Sequence, residues 1–404
     1  MLRSAAGFPD LNESMSRTAA VLAVLAFVLF GTGCQLFPQR AGDVSSASAA
    51  PPPPVVEHPI ASHRFEFDPE SDDVIGRVQV TYTRATDTLP DIARRFNLGY
   101  EEIVRANPGV DPWLPGEGTE LILPTRWVLP DAPRSGVVIN LAAMRLFYFL
   151  PREHEDGPQT VITHPIGIGR VGWSTPEGET RITAKARDPW WFPPASVRRE
   201  HAKQGDPLPS KVPPGVDNPL GAHVLKLGWP SYLIHGTNKP YGVGMRVSSG
   251  CIRLYPEDIA ELYPQLAVGV DVRVVNQPFV YGWQGGALYV QSYQVLEDDE
   301  REQADGAGIV LNAAISNDLW QRVKQHNAGL DLELLGQVIE AAQGIAVPVT
   351  RKGLTLDRYL ATVPRVHNVL PDGSNWNGDD RLLANAREWE AMRQDDRDAA
   401  VATP

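Results

Sequence analysis

The chain contains only two cysteines, Cys34 and Cys251, among 404 residues. Each has a separate candidate role, so we expect no structural disulfide. No second thiol lies near Cys251 and no His-Glu-x-x-His spacing occurs, which argues against a zinc site; we expect neither a metal nor a cofactor. A basic run is also missing, and the net charge of −12 argues against nucleic acid as the partner.

A long membrane-spanning apolar run is missing as well. The apolar run at residues 19–30 is too short to cross a bilayer but is typical of a signal-peptide core. Residues 31–34 (Gly-Thr-Gly-Cys) resemble a bacterial lipobox. We therefore expect a lipoprotein signal peptide over residues 1–34, read from Met1 or Met15. Lipidated Cys34 would then be the mature N-terminus, anchored to the periplasmic face of the outer membrane. The alternative is a plain secretory signal, an incidental cysteine and a soluble periplasmic protein.

The length and the 43% hydrophobic content suit two or three globular domains. Residues 35–75 are rich in Ala, Ser, Pro, Asp and Glu and lack periodicity, which predicts a disordered tether. Residues 76–125 favour a strand–helix–helix–strand module, with one helix capped by Thr88 and another beginning near Tyr100. Its stretches Asp87-Thr88-Leu89, Ile92-Ala93 and Asn107-Pro108 resemble a LysM peptidoglycan-binding module. The alternative is a spacer of the same shape without affinity for sugar.

Residues 136–276 are predicted to be mainly β. β-Branched runs divided by Gly and Pro indicate strands at 136–140, 144–150, 160–166, 181–186, 222–227 and 270–275. The clearest helix is Pro256–Tyr263. Residues 188–215 are rich in proline and aromatics and predict an irregular segment, either a lid over a substrate groove or packing against the sheet. Residues 277–404 form a partly helical C-terminal extension with no predicted role.

The stretch from Tyr232 to Leu254 carries the chemistry. His235 closes a short apolar run, and Cys251 follows sixteen positions later in a Ser-Ser-Gly-Cys turn. An ordinary thiol is only a few per cent thiolate at neutral pH, so a nearby imidazole that accepts its proton makes it a nucleophile. This pattern predicts catalysis by Cys251 with His235 as base, against the alternatives of a buried structural cysteine and a core histidine.

The neighbours of the two residues suit the same chemistry. Gly250 allows a close backbone approach, so amides around Ser249 and Cys251 are candidate oxyanion donors. Arg253 adds a permanent positive charge that can lower the pKa of the thiol or bind a substrate carboxylate. The candidate oxyanion and substrate-binding residues are therefore Gly236, Ser248, Ser249, Gly250 and Arg253.

His235-Gly236-Thr237 followed by Ser248-Ser249-Gly250-Cys251-Ile252-Arg253 resembles the signature of the L,D-transpeptidases, the YkuD-type cysteine enzymes of bacterial cell walls. The resemblance extends upstream through Gly167-Ile168-Gly169, Thr175-Pro176-Glu177-Gly178 and Asp217-Asn218-Pro219-Leu220-Gly221, and covers about residues 136–276. Many members carry histidine where this chain has Ser249, so no role of that histidine is carried over. The family implies a YkuD-type β-sandwich.

The resemblance also implies a reaction. A Cys251 thioester would form on the third residue of a peptidoglycan stem peptide, and an acceptor amine would resolve it. Diaminopimelate as acceptor gives a 3→3 cross-link, whereas a lysine of an outer-membrane lipoprotein gives attachment to the wall, which the LysM-bearing subfamily favours. The alternatives are a peptidase that uses water as acceptor and a non-catalytic tether that binds the wall.

Overall fold

The computed structural model describes residues 58–60, 63–154, 156–299 and 313–378. All of them belong to one compact unit, Pro53–Pro404. The predicted signal peptide, Cys34 and most of the predicted tether lie outside the described residues. Among the helices of the described part, none is long and apolar enough to span a membrane.

The first half of the fold alternates strands with two short helices. Its elements are β1 (Arg64–Phe67), β2 (Val74–Gly76), β3 (Gln79–Tyr82), α1 (Leu89–Arg95), α2 (Tyr100–Ala106), β4 (Glu120–Leu123), β5 (Arg126–Val128), β6 (Gly136–Asn140), β7 (Arg145–Phe149), β8 (Gln159–Pro165), β9 (Ile168–Gly169) and β10 (Gly178–Arg187).

The second half begins with a helix, continues with strands on either side of a second helix, and ends mostly in helices. Its elements are α3 (Ala195–Lys203), β11 (His223–Leu227), β12 (Leu233–His235), a 3₁₀ turn (Pro240–Gly242), β13 (Arg246–Ser248), β14 (Ile252–Arg253), α4 (Pro256–Gln265), β15 (Asp271–Val275), β16 (Phe279–Gln284), β17 (Ala287–Ser292), α5 (Ala313–Gln325), α6 (Leu332–Ala341), β18 (Val347–Pro348) and α7 (Leu356–Thr362).

A nine-stranded sheet in the order β1-β8-β7-β6-β15-β10-β11-β12-β14 forms the centre of the molecule. The strands predicted within residues 136–276 are confirmed, and β6 and β7 pair as an antiparallel hairpin. Alternate residues of the strands face two cores: Val137 and Leu146 pack on one side, Val138 and Phe147 on the other. The mainly β character of this region is therefore confirmed.

The long strand β10 curls the sheet. Its first half pairs with β15 and its second half with β11, with an irregularity in register between Ile182 and Ala184. Residues of the two partner strands, such as Val272 of β15 and Leu225 of β11, therefore meet in one core. The edge pair β12–β14 is parallel, and that edge carries the candidate site.

The module at 76–125 has its elements in the order β3, α1, α2, β4, with the two strands antiparallel. Thr88 caps α1 in a reciprocal capping box with Asp91, as predicted. The module packs on the second core of the sheet. Glu102 of α2 forms a bidentate ion pair with the fully buried Arg145 of β7, at 2.8 and 2.9 Å, which fixes the module to the nine-stranded sheet.

The predicted disordered tether is wrong at its C-terminal end. Residues Arg64–Phe67 form β1, which pairs antiparallel with β8, and Val74–Gly76 form β2. Phe65 and Phe67 both pack on the second core. Two alternating aromatics were therefore sufficient for an edge strand, although the surrounding segment is polar and rich in proline.

The described part of residues 277–378 contains the helices α5, α6 and α7 and a three-stranded sheet, β16-β17-β18, separate from the nine-stranded one. Past α7 the chain returns to the module, where Val80 N–H donates to Pro364 O and Val366 N–H donates to Val80 O, at 2.9 and 2.8 Å. Asn375 then donates to Asp258 of α4 at 2.7 Å. The described part of the extension thus contacts both the module and the helix α4 that follows β14.

Candidate active site

The parallel pair β12–β14 brings the two ends of the catalytic stretch together. Ile234 lies opposite Ile252 and His235 lies opposite Arg253. The Leu254 N–H donates to the His235 carbonyl at 2.9 Å. Because Cys251 directly precedes β14, it lies beside β12, the strand that ends in His235, and the Leu233 backbone of that strand donates a hydrogen bond to the thiol. The positive charge of Arg253 acts on both His235 and Cys251.

The His235 ring is buried, with only 3% of the residue exposed. Its Nδ1 lies 2.6 Å from the Gly236 carbonyl oxygen, so Nδ1–H donates and Nε2 is left as the acceptor. Burial, followed by the charge of Arg253, lowers the pKa of His235 to about 3, against the opposing effect of the Gly236 and Leu220 carbonyls. His235 is therefore neutral at pH 7, the form that a general base needs.

The Cys251 thiol is free and half-buried. Its Sγ lies 3.6 Å from the carbonyl oxygen of Ser231, a residue with a positive φ of 70°. Burial raises the pKa of Cys251, while a hydrogen bond from the Leu233 backbone and the charge of Arg253 lower it by less. The resting pair is thus a neutral thiol and a neutral imidazole rather than an ion pair.

Two hydroxyls hold the turn before the thiol. Ser248 Oγ donates to the Cys251 carbonyl at 2.6 Å and accepts from the Gly250 N–H at 3.1 Å. Thr175 Oγ1 donates to the Gly250 carbonyl at 2.9 Å and accepts from the Gly169 N–H at 3.1 Å. The turn is therefore fixed from both sides. The Gly250 N–H already donates to Ser248, so it is not a candidate oxyanion donor.

Gly250 has a φ of 101°, and a Cβ there would lie 2.8 Å from Tyr232 Cε1 and 3.4 Å from the Trp173 carbonyl oxygen. Only glycine fits this position without strain. Within the part of the chain that the structure describes, the amides of Ser249 and Cys251 have no hydrogen-bond partner. These two N–H groups are free to bind an oxyanion.

The guanidinium of Arg253 lies close enough to the thiol for its charge to act on it. Among the described residues no carboxylate lies within 4.0 Å of its guanidinium, and its buried Nε has no hydrogen-bond partner. Its backbone N–H and carbonyl pair with Gly167 at 2.9 and 2.8 Å. Burial lowers the pKa of Arg253, but a guanidinium stays charged at neutral pH. The site therefore holds a fixed, unneutralised positive charge.

Residues 188–215 border this site and are more regular than predicted, because they contain the helix α3. Glu200 of α3 forms an ion pair with Arg170, whose N–H donates to the Ser248 carbonyl at 3.0 Å. Asn218 holds the base of the segment by donating to the carbonyls of Pro189 and Pro213, at 2.7 and 3.0 Å. In the sequence, Asn218 and Thr175 stood out only because they lie in recurring stretches of the family that the chain resembles. Their hydrogen bonds show that Asn218 holds the base of the segment 188–215 and that Thr175 holds the turn at Gly250.

The structure brings together every predicted site residue that it describes. His235, Gly236 and the turn from Ser248 to Arg253 form one edge of the sheet, whereas Cys34 lies outside the described residues. A thiol and a neutral imidazole on neighbouring chain segments, with two backbone amides beside the thiol that have no partner among the described residues, are the groups that acyl transfer through cysteine requires. The fold and site therefore define a cysteine enzyme of the acyl-transfer class.

Comparison with known proteins agrees. The family model "YkuD: L,D-transpeptidase catalytic domain" matches residues 134–275. The probable L,D-transpeptidase YcfS of Escherichia coli is 39% identical over 65% of this chain and 81% of its own length. The probable L,D-transpeptidase ErfK/SrfK of Salmonella typhimurium is 34% identical over 74% of this chain and 96% of its own length. The probable L,D-transpeptidase YbiS of Escherichia coli is 40% identical over 56% of this chain and 72% of its own length. The chain belongs to the L,D-transpeptidases, a family of cysteine acyltransferases.

Proposed function

We propose that the protein is a periplasmic L,D-transpeptidase that acts on peptidoglycan stem peptides through a Cys251 thioester. The observation that carries this proposal is the neutral pair of Cys251 and His235 beside two free backbone amides. Those groups supply a nucleophile, a base and an oxyanion site within one turn and one strand end.

The resting charges define the first step. Because the thiol and the imidazole are both neutral, the proton moves from Sγ to His235 Nε2 as Sγ attacks the carbonyl of the third stem residue. The carbonyl oxygen becomes an oxyanion that the Ser249 and Cys251 amides stabilise. Collapse breaks the C–N bond, and His235 gives its proton to the leaving D-alanine amine. A thioester remains on Cys251.

The second step reverses the proton path. An acceptor amine attacks the thioester and His235 takes its proton; as the C–S bond breaks, His235 gives that proton to Sγ, which returns the neutral thiol and the neutral imidazole. Gly236 contributes through its carbonyl, which holds the Nδ1–H tautomer of His235, and Ser248 contributes by holding the turn. Arg253, which has no counterion among the residues that the structure describes, is placed to bind a substrate carboxylate in its planar fork.

The acceptor determines the biological role. We favour a lysine of an outer-membrane lipoprotein as the acceptor, because the module at 76–125 precedes the catalytic domain as in the lipoprotein-attaching subfamily. A diaminopimelate amine as acceptor would instead give a 3→3 cross-link. The segment 188–215 lies beside Arg170 and the catalytic turn, so we assign it as a lid that limits the access of water.

Product analysis tests the acceptor. A soluble protein from residue 53 onward is incubated with a disaccharide-tetrapeptide, with and without a lysine-terminated peptide, and the products are identified by mass spectrometry. A product that joins the third stem residue to the lysine supports attachment, and a dimer joined between third residues supports cross-linking. A tripeptide alone indicates a peptidase, and unchanged substrate indicates a non-catalytic tether. Cys251→Ala is the control.

We further propose that residues 76–125 are a LysM-type module that binds glycan and that Cys34 carries a lipid anchor to the outer membrane. The module's order of elements supports the first proposal. Co-sedimentation with purified peptidoglycan tests it, and the result expected is binding that survives Cys251→Ala. Fractionation of Cys34→Ser tests the second, with loss of the protein from the membrane fraction expected; retention there would contradict the anchor.

A further inference from the structure

The segment 294–299, which follows β17, lies outside the residues that the family model covers and yet reaches the catalytic turn. Leu296 packs against the core of the catalytic sheet. Asn276 donates to Asp299 at 2.8 Å. Between these two anchors, the Asp298 carboxylate accepts a hydrogen bond from Ser174 Oγ at 2.6 Å and another from Arg246 Nη2, also at 2.6 Å.

The two donors belong to the two chain segments that enclose Gly250. Arg246 begins β13, which leads to Ser248, and its Nε donates to the Gly169 carbonyl at 3.2 Å. Ser174 lies between Trp173, whose carbonyl faces Gly250, and Thr175, whose hydroxyl binds the Gly250 carbonyl. One carboxylate therefore joins both walls of the turn that presents the nucleophile.

The charge state of Asp298 suits this role. Burial opposes ionisation, but the hydrogen bonds from Ser174 and Arg246 lower its pKa below the usual range. The side chain of Asp298 is 22% exposed and that of Arg246 is 14% exposed. The contacts are therefore charge-assisted hydrogen bonds that water only partly screens.

We infer that Asp298 is a positioning residue for the catalytic turn, supplied to the active site by the C-terminal extension. This inference rests on the proposed function, in which Cys251 is acylated. A carboxamide in place of the carboxylate has one acceptor oxygen and no charge, so it cannot hold Ser174 and Arg246 together, and the amides of Ser249 and Cys251 lose their alignment with the oxyanion. A misplacement of about 1 Å at a reacting centre can lower a rate by about 100-fold.

The test compares Asp298→Asn with Glu297→Gln. Glu297 is the matched control, because it lies next in the chain, is 79% exposed and only approaches Arg246, at 4.0 Å. Two reactions of Cys251 are measured: acylation by a stem tetrapeptide, which needs the oxyanion site, and alkylation by iodoacetamide, which does not. We expect Asp298→Asn to slow acylation by about 10- to 100-fold and to change alkylation by less than about twofold.

Unchanged acylation in Asp298→Asn would overturn the inference, as would an equal loss in acylation and alkylation or a similar loss in Glu297→Gln. Hydrogen–deuterium exchange gives a second, independent readout. Peptides covering 170–176 and 246–251 should exchange faster in Asp298→Asn than in Glu297→Gln; equal exchange would contradict the positioning role. If the wild-type protein is not acylated, the proposed function fails, and the exchange experiment still decides whether Asp298 orders the turn.

Discussion

The neutral state of the Cys251–His235 pair leads to a specific prediction for the pH dependence of thiol alkylation. An unperturbed thiol of pKa about 8.5 is about 3% thiolate at pH 7. Burial raises the pKa of Cys251, so its thiolate fraction is smaller still. With a pKa of about 3, His235 is protonated in on the order of one molecule in 10⁴ at pH 7. We therefore expect alkylation by iodoacetamide to rise about tenfold per pH unit from pH 6 to pH 8.

A thiolate–imidazolium pair would behave differently. Its alkylation rate would be high and nearly constant between the two pKa values, so a plateau across pH 5–8 would refute the neutral pair. His235→Ala sharpens the distinction. Since neutral His235 does not hold the thiol proton at rest, this variant should keep its alkylation rate at pH 7 within about threefold. Acylation by a stem peptide, which requires a base, should fall by about 10²- to 10⁴-fold.

Three further predictions concern the turn, the guanidinium and the module. Gly250→Ala should lower the acylation rate by at least about tenfold, because it adds backbone strain of about 1–3 kcal/mol at φ 101° and a Cβ contact of 2.8 Å with Tyr232. The control is Gly172→Ala, which has a similar positive φ of 78° but open space around the new Cβ and should retain activity. Arg253→Lys should raise the KM for a stem peptide by about tenfold, because a single ammonium replaces the bidentate fork; an unchanged KM would exclude carboxylate binding. Glu102→Ala should lower the free energy of unfolding in urea by about 3–5 kcal/mol, because it leaves a buried arginine unpaired; Glu101→Ala, which removes a partly exposed pair at 3.7 Å, should cost about 1 kcal/mol or less.

Local signals in the sequence were sufficient for much of the fold. Thr88 and Asp91 cap α1 because a short hydroxyl and a carboxylate three residues apart satisfy the free amides of a helix start. The hairpin β6–β7 follows from two apolar, β-branched or aromatic runs separated by a short turn. The roles proposed for Cys251 and His235 follow from residue type and from the turn residues around them, so these two candidates could be selected from the sequence.

Long-range contacts were not predictable from such signals. The parallel pairs β6–β15 and β12–β14 join segments far apart in the chain, and no local pattern specifies the partner of a strand. The same holds for Asp298, whose role depends on the return of the extension to Ser174 and Arg246. In a polar segment one more carboxylate has no distinguishing feature in the sequence.

Composition misled in two places. The segment 35–75 is polar and rich in proline, yet Phe65 and Phe67 place β1 at the edge of the catalytic sheet. The segment 188–215 is also rich in proline, but its residues 195–203 contain none and form α3 directly after Pro194. Average composition over thirty or forty residues conceals short stretches with their own propensity.

Intact-protein mass spectrometry is the most direct test of the central claim, that Cys251 is the acylated nucleophile. The soluble protein from residue 53 onward contains Cys251 as its single cysteine. Incubation with a disaccharide-tetrapeptide should give an adduct with the mass of the donor less D-alanine, located on Cys251 by peptide mapping and released by hydroxylamine. The Cys251→Ser variant should give no hydroxylamine-labile thioester. A product formed without any adduct, or formed at an undiminished rate by the Cys251→Ala variant, would contradict the account.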